Sequence, residues 1–133
     1  MSELASTIRR SFPADRGAPG VARQAVKDFL HANGYEPRAL ADVLLAVSEV
    51  VTNCVVHGYR DEPGGQVAIE ASRTGDTLKL SVADHGGGMA PRTDSPGLGL
   101  GLPLVGRVAE RVDITSQADG GTLVSMWFSL GGP

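Results

Sequence analysis

Residues 40–55 carry the periodic pattern that most restricts the fold of this chain. Apolar residues recur there with the i, i+3, i+4, i+7 spacing of an amphipathic helix, and Gly58 follows as a stop signal. This apolar stripe consists of Leu40, Val43, Leu44, Val47, Val51, Cys54 and Val55. A helical wheel puts four other residues of this segment on the opposite side, namely Asp42, Ala46, Glu49 and Asn53. The pattern therefore predicts a helix that buries one face and points a carboxylate and an amide away from it.

The flanking segments predict the order strand, two helices, hairpin, helix and second hairpin. A strand over 4–12 and a helix over 19–32, with Asn33 and Gly34 as its stop, precede the helix at 40–55. This order favours an α/β (α+β) two-layer sandwich, with helices on one face of a mixed, mostly antiparallel sheet. Because no repeat and no long linker interrupts the pattern, residues 1–133 are expected to form one domain.

Two predicted strands each carry a row of apolar residues with a polar residue at one end of the row. Leu78, Leu80 and Val82 alternate on one face of a predicted strand, and the same period of two puts Asp84 on that face. In the last predicted strand, Thr122 heads a similar row that continues to residue 130. An inward carboxylate is costly to bury without a partner, so these two positions predict a polar site.

Glycine is concentrated in three clusters, DHGGGM at 84–89, SPGLGLGLP at 95–103 and ADGGT at 118–122. Behind Asp84, backbone without side-chain bulk can let a flat ring lie against the main chain while the carboxylate accepts hydrogen bonds from an amino group, as an adenine requires. The plain alternative is an aspartate that caps a glycine-rich turn. The run at 97–103 leads into a helix N-terminus, which suits phosphate. It is not a P-loop and matches the dinucleotide fingerprint poorly, because Leu102 stands where glycine is needed.

The pair Glu49 and Asn53 fits the chemistry of a nucleoside triphosphate. A neutral amide oxygen can bind Mg²⁺ when phosphate oxygens supply the charge. A carboxylate one turn away can act as base on a hydroxyl or water that attacks the γ-phosphate. The alternative for this pair is an ordinary solvated helix face.

Charge and cysteine content narrow the class of protein. Twelve basic residues stand against fifteen acidic ones, for a net charge of −3, and no basic stripe occurs, which argues against a direct nucleic-acid partner. The single cysteine, Cys54, excludes an intramolecular disulfide framework and is expected to be a small core residue. Without an apolar leader or a long apolar run, the chain is expected to be soluble, cytoplasmic and independent of membranes.

Four segments resemble the sequence boxes of the GHKL ATPases, the Bergerat-fold group that includes gyrase, histidine kinases and mismatch-repair ATPases. They are SEVVTNCVVHGY at 48–59, DHGGGM at 84–89, GLGLGL at 97–102 and GGT at 120–122. The first box is most similar to that of the bacterial anti-sigma-factor serine kinases of partner-switching systems. The likeness spans nearly the whole chain, and it is the combination of boxes that makes it specific.

The resemblance implies a Bergerat ATP-binding fold with ATP and Mg²⁺ as cofactors. It implies Glu49 as catalytic base, Asn53 as Mg²⁺ ligand and Asp84 as the carboxylate that reads adenine. The other nucleotide-binding positions that it implies are Gly86, Gly88, Met89, Gly97, Gly99, Leu100, Gly101, Leu102 and Thr122.

The function implied by the resemblance is an ATP-binding anti-sigma factor with serine protein kinase activity toward an anti-anti-sigma (STAS) protein. Its partners would be a sigma factor and that STAS protein, and it would form a homodimer. The implied ATP lid, APRTDSP at 90–96, is short, so nucleotide binding is better supported than turnover. Two alternatives stay open: a nucleotide-gated partner-switch binding module that transfers nothing, and a histidine-kinase-type catalytic domain acting in trans.

Overall fold

The computed structural model describes residues 5–34, 37–55, 65–84, 102–116 and 121–129. These ranges contain β1 (Ala5–Pro13), α1 (Ala18–Ala32), α2 (Pro37–Asn53), β2 (Gln66–Thr74), β3 (Thr77–Asp84), α3 (Leu102–Val108), β4 (Arg111–Ser116) and β5 (Thr122–Ser129). The predicted order of elements is therefore confirmed. In these ranges, no helix has both the length and the apolar character needed to cross a membrane.

The strands form one sheet in the order β1-β2-β3-β5-β4, with β3 at its centre. Each neighbouring pair is antiparallel, in agreement with the predicted mostly antiparallel sheet, and no parallel pair occurs among the described strands. Parallel neighbours require a crossover that returns the chain to the same end of the sheet. Here β2–β3 and β4–β5 pair as hairpins, and α1 and α2 lead from β1 to its antiparallel neighbour β2. The connection through α3 leads from β3 to β4, which runs in the same direction as β3, but β5 lies between these two strands.

The core lies between the sheet and the helical layer. Leu78, Leu80 and Val82 on β3 are at most 1% exposed, and Val124 and Met126 on β5 are fully buried. The predicted alternation is thus confirmed on both strands. Each fully buried side chain of this size stabilises the fold by about 1.5–3 kcal/mol. The helices join the same apolar cluster, so all three lie on one face of the sheet.

The buried face of α2 is wider than its apolar stripe predicted. Ala46 is 0% exposed and Asn53 is 7% exposed, although the helical wheel put both on the side opposite the apolar stripe. Because α2 packs against α1 and α3 as well as β3, its neighbours cover more of its circumference than a sheet alone would. Glu49 is half-buried, and Asp42 remains exposed as predicted.

Two glycines in turns adopt a positive φ that other residues rarely adopt. Gly34, which follows α1 as predicted, has φ +79°, and Gly75 in the β2–β3 turn has φ +60°. A side chain in this left-handed region costs about 1–2 kcal/mol. The β2–β3 hairpin therefore depends on glycine at position 75.

We expect Gly75→Ala to lower the free energy of unfolding by about 1–2 kcal/mol. No atom lies within 4 Å of a Cβ built at this position, so backbone strain alone causes the loss. Gly106→Ala in α3 is the matched control, since its Cβ also meets nothing within 4 Å and its φ is negative. The control should be neutral or up to about 1 kcal/mol more stable. Urea unfolding measures both variants, and an unchanged Gly75→Ala midpoint would contradict the expectation.

Candidate functional site

The polar residues at the ends of the two inward-facing rows lie next to each other at one end of the sheet. Asp84 is the last residue of β3, Thr122 is the first of β5, and the two are direct cross-strand partners. Both side chains are 0% exposed. The alternation that predicted both residues on the inward face is therefore confirmed, and the sheet register brings them together.

The C-terminal end of α2 lies beside this pair. Asn53 ends the helix, and Cys54, which is 0% exposed, begins a π-helical turn, a form frequent at functional sites. Burial raises the pKa of the Cys54 thiol well above its usual range, and the negative charge of Asp84 raises this pKa further. The carboxylate of Asp84 therefore lies close enough to the thiol of Cys54, the residue after Asn53, for an electrostatic interaction. The thiol stays neutral, as expected of a core cysteine.

Thr122 places a hydroxyl in this buried corner. Its Oγ1 has no hydrogen-bond partner within the described ranges. A buried hydroxyl without a partner costs about 1–3 kcal/mol, and such groups in native folds call for an explanation, such as a water or an ion. The corner thus has a hydrogen-bonding group that a polar ligand can use, which suits a nucleobase beside an aspartate.

Glu49 lies one turn before Asn53 on α2, on a segment that α1 holds in place. The Nη1 of Arg23 on α1 donates a 2.9 Å hydrogen bond to Oγ of Ser48, directly before Glu49. Sequence reasoning missed this contact, because no periodic pattern links two polar residues on separate helices. The sequence also did not predict that Cys54 lies beside Asp84, because only the packing of the helical layer on the sheet brings these two residues together.

The remaining predicted site residues are only partly within the described ranges. Leu102 is the first residue of α3, as predicted. The others lie outside the described residues: Gly86, Gly88, Met89, Gly97, Gly99, Leu100 and Gly101, together with Gly58 and the lid at 90–96. Within the described ranges, no group of three or more His, Cys, Asp or Glu side chains could hold a metal ion.

Comparison with known sequences gives a consistent family. The sequence profile of the histidine kinase-like ATPase domain matches residues 12–128. An anti-sigma F factor of Clostridium perfringens is 31% identical over 130 residues, which cover 90% of this chain and 93% of that protein. The serine-protein kinase RsbW of Bacillus velezensis is 30% identical, over 99% of this chain and 91% of that protein.

Comparison with solved structures agrees with the sequence match. The crystal structure of the RsbU and RsbW domains of a Mycobacterium tuberculosis protein superposes with a TM-score of 0.75 at 25% identity, covering 96% of this chain and 33% of that longer chain. A chain in the crystal structure of the SiaB–SiaC complex from Pseudomonas aeruginosa shares the fold, with a TM-score of 0.62 at 18% identity. The match covers 91% of this chain and 88% of that chain. With the buried aspartate–threonine corner beside the end of α2, these matches establish that the chain belongs to the family of histidine kinase-like ATPase domains.

Proposed function

We propose that this chain is an ATP-binding anti-sigma factor and a serine protein kinase that phosphorylates an anti-anti-sigma (STAS) protein. The observation that carries the proposal is the buried corner in which Asp84 and Thr122 meet the end of α2. Relatives named anti-sigma F factor and serine-protein kinase match 90% and 99% of the chain, which supports the same activity here.

Asp84 and Thr122 form the base-reading end of the proposed site. An ionised carboxylate is an acceptor only, so Asp84 selects a ring with an amino group and disfavours one with a carbonyl at that position. The hydroxyl of Thr122, buried and unpaired within the described ranges, can donate to a ring nitrogen or to a bridging water. Adenine presents an amino group at C6, from which such a carboxylate accepts, whereas guanine has a carbonyl there.

Asn53 forms the metal end of the proposed site. Mg²⁺, when bound, neutralises charge on the phosphate oxygens of ATP. With no acidic or histidine cluster in the described ranges, most ligands would be phosphate oxygens and water, and the amide oxygen of Asn53 would be the protein ligand. A neutral amide adds no negative charge beside a triphosphate.

Glu49 is the proposed catalytic base. It takes the proton of a serine hydroxyl as that oxygen attacks the γ-phosphorus, and the bond from phosphorus to the bridging oxygen breaks, so that ADP leaves. Glu49 is half-buried whereas Asn53 is buried, so a side chain from another protein can reach the carboxylate from solvent.

The glycine loops complete the proposal. Gly86, Gly88 and Met89 would shape the base pocket, and the segment from Gly97 to Leu102 would contact the phosphates. A sigma factor, a STAS protein and a second copy of the chain are the proposed partners.

Thr122→Val should weaken ADP binding without destabilising the protein. Valine keeps the shape of threonine but removes the buried hydroxyl, so the free energy of unfolding should stay the same or rise by about 1 kcal/mol. ADP affinity should fall by about 1 kcal/mol or more, because the ligand loses a hydrogen bond. Calorimetric titration and urea unfolding measure the two effects. Lower stability with unchanged ADP affinity would assign Thr122 a structural role only.

Asn53→Ala should mainly remove the magnesium dependence of ATP binding. The affinity for ATP should respond to Mg²⁺ in the parent protein and respond much less in the variant, because the protein ligand of the metal is lost. Titrations with and without Mg²⁺ measure the response, and circular dichroism checks that the buried substitution leaves the fold intact. An identical metal response in a folded variant would remove Asn53 as a ligand.

Glu49→Ala should abolish phosphate transfer to a cognate STAS protein while ATP still binds. Loss of a general base typically costs about 10²–10⁴-fold in rate. Asp42→Ala, which removes an exposed carboxylate from the same helix, is the matched control and should keep full activity. Labelled ATP and detection of phosphoserine measure the transfer. Tight ATP binding with no transfer by the parent protein would favour the nucleotide-gated binding module instead.

A further inference from the structure

The end of α1 carries an asparagine followed directly by a glycine, Asn33 and Gly34. In such a pair the backbone nitrogen of the glycine can attack the side-chain carbonyl carbon of the asparagine, because glycine has no Cβ to hinder the approach. Asparagine also counts among the thermolabile residues of proteins. Asn33 is half-buried and Gly34 is exposed, so water can reach the turn. The pair is therefore a candidate site of chemical modification.

Ring closure at this pair converts the amide of Asn33 into a carboxylate in two steps. A new bond joins the nitrogen of Gly34 to Cγ of Asn33, the bond from Cγ to Nδ2 breaks, and ammonia leaves with the proton of the attacking nitrogen. Water then opens the five-membered imide and gives aspartate or isoaspartate. Either product makes the net charge of the chain one unit more negative than −3.

The folded chain holds both ends of the Asn33 side chain. Its Nδ2 donates a 2.8 Å hydrogen bond to the carbonyl oxygen of Phe29, one turn earlier in α1. Its Oδ1 accepts a 3.2 Å hydrogen bond from Nη1 of Arg73, near the end of β2. The two partners fix the orientation of the amide, because a carbonyl can only accept and a guanidinium can only donate. Rotation of the side chain out of this position therefore costs both hydrogen bonds.

The backbone of the pair is also held away from the geometry of ring closure. Asn33 has ψ 7°, which directs the nitrogen of Gly34 away from the side chain, so the attack requires a rotation about the bond between Cα and the carbonyl carbon. The N–H of Gly34 donates a 3.0 Å hydrogen bond to the carbonyl oxygen of His31. This hydrogen bond must also break, because the nitrogen gives up its proton when it reacts.

Arg73 connects the end of α1 to the turn between β2 and β3. While its Nη1 donates to Asn33, its Nε donates a 3.0 Å hydrogen bond to the carbonyl oxygen of Gly75. One planar guanidinium thus joins two segments that are distant along the chain. Since Asn33 is the C-cap of α1, this contact opposes fraying of the helix end, which is the local opening that ring closure requires.

We propose that Asn33 is a deamidation site and that the hydrogen bonds of Arg73 control its rate. In the folded protein, the reaction is limited to the rare moments in which the end of α1 opens. The unfolded chain lacks this protection, because Arg73 reaches Asn33 only through the tertiary structure. The inference is independent of the proposed nucleotide site.

Peptide mapping by mass spectrometry during incubation at constant pH measures the aspartate and isoaspartate formed at Asn33. We expect the folded parent chain to react at least about tenfold more slowly than the chain unfolded in guanidinium chloride, because the reaction requires local opening. Arg73→Met keeps an apolar stem but removes every donor, and should accelerate the reaction of the folded protein by about tenfold. Arg73→Lys keeps one donor group, so its rate should lie between the two. Ion-exchange chromatography follows the added negative charge.

Two controls separate the local effect from general instability. Val112→Ala removes apolar contacts from β4, at the edge of the sheet opposite β1, and should lower the urea midpoint without a comparable acceleration at Asn33. Asn53, the other asparagine of the chain, is buried and precedes the larger Cys54, so it should stay intact in the folded protein. Circular dichroism checks the fold of each variant, and Arg73→Lys carries the comparison should Arg73→Met not fold.

The remaining outcomes overturn the proposal. Equal rates in the folded and the unfolded parent chain would mean that the fold gives no protection, and an intact Asn33 in the unfolded chain would remove the site itself. Folded Arg73 variants that react as slowly as the parent chain would remove Arg73 as the controlling residue. An equal acceleration by Val112→Ala would assign the reaction to global unfolding.

Discussion

The packing of α2 on the central strand β3 is the contact on which the rest of the structure depends. Leu78, Leu80 and Val82 must be buried, and α2 supplies the apolar surface that covers them. Because the side chains of a strand alternate strictly, burying this row also buries Asp84 at its end. The polar corner is therefore a consequence of the core rather than an addition to it, and its desolvation cost is offset by the apolar rows beneath it.

The buried corner combines a charged group, a hydroxyl and a thiol in a small space. Cys54 is small and remains neutral beside Asp84, because burial and the neighbouring charge both disfavour a thiolate. A larger residue at this position would fill the space next to the carboxylate, and a second acidic group would repel it. Among the residues that the structure describes, the hydroxyl of Thr122 has no hydrogen-bond partner, which costs stability, as is common where a site is prepared for a ligand.

The two faces of the sheet suit different tasks. The inward face carries apolar rows that end in the polar corner, and the proposed chemistry lies where these rows end. The face opposite the helices carries small apolar residues, one tryptophan and charges of both signs, in rows set by the same strand registers. The sheet therefore separates the proposed site from the surface on its opposite face.

Local periodicity was sufficient to predict the helices and strands. It failed to predict the burial of residues that contact several elements at once. The spacing at 40–55 predicted α2, the alternation on β3 predicted an inward Asp84, and the resemblance of the combined boxes named the family. The burial of Ala46 and Asn53, opposite the apolar stripe, was not predictable from a single helix, because it depends on the contacts of α2 with other elements such as α1 and α3. The assignments to the glycine loops stay predictions, since those residues lie outside the described ranges.

The sequence by itself determined which residues are apolar, how they repeat and therefore which side of each strand is buried. Only the tertiary structure decided which polar residues become neighbours. Asp84 and Thr122 are far apart along the chain, and it is the antiparallel register of β3 and β5 that joins them. The hydrogen bond from Arg23 to Ser48 likewise exists only because α1 lies against α2. The physical reason is that periodicity reports the burial of one element, whereas a site requires the relative positions of several.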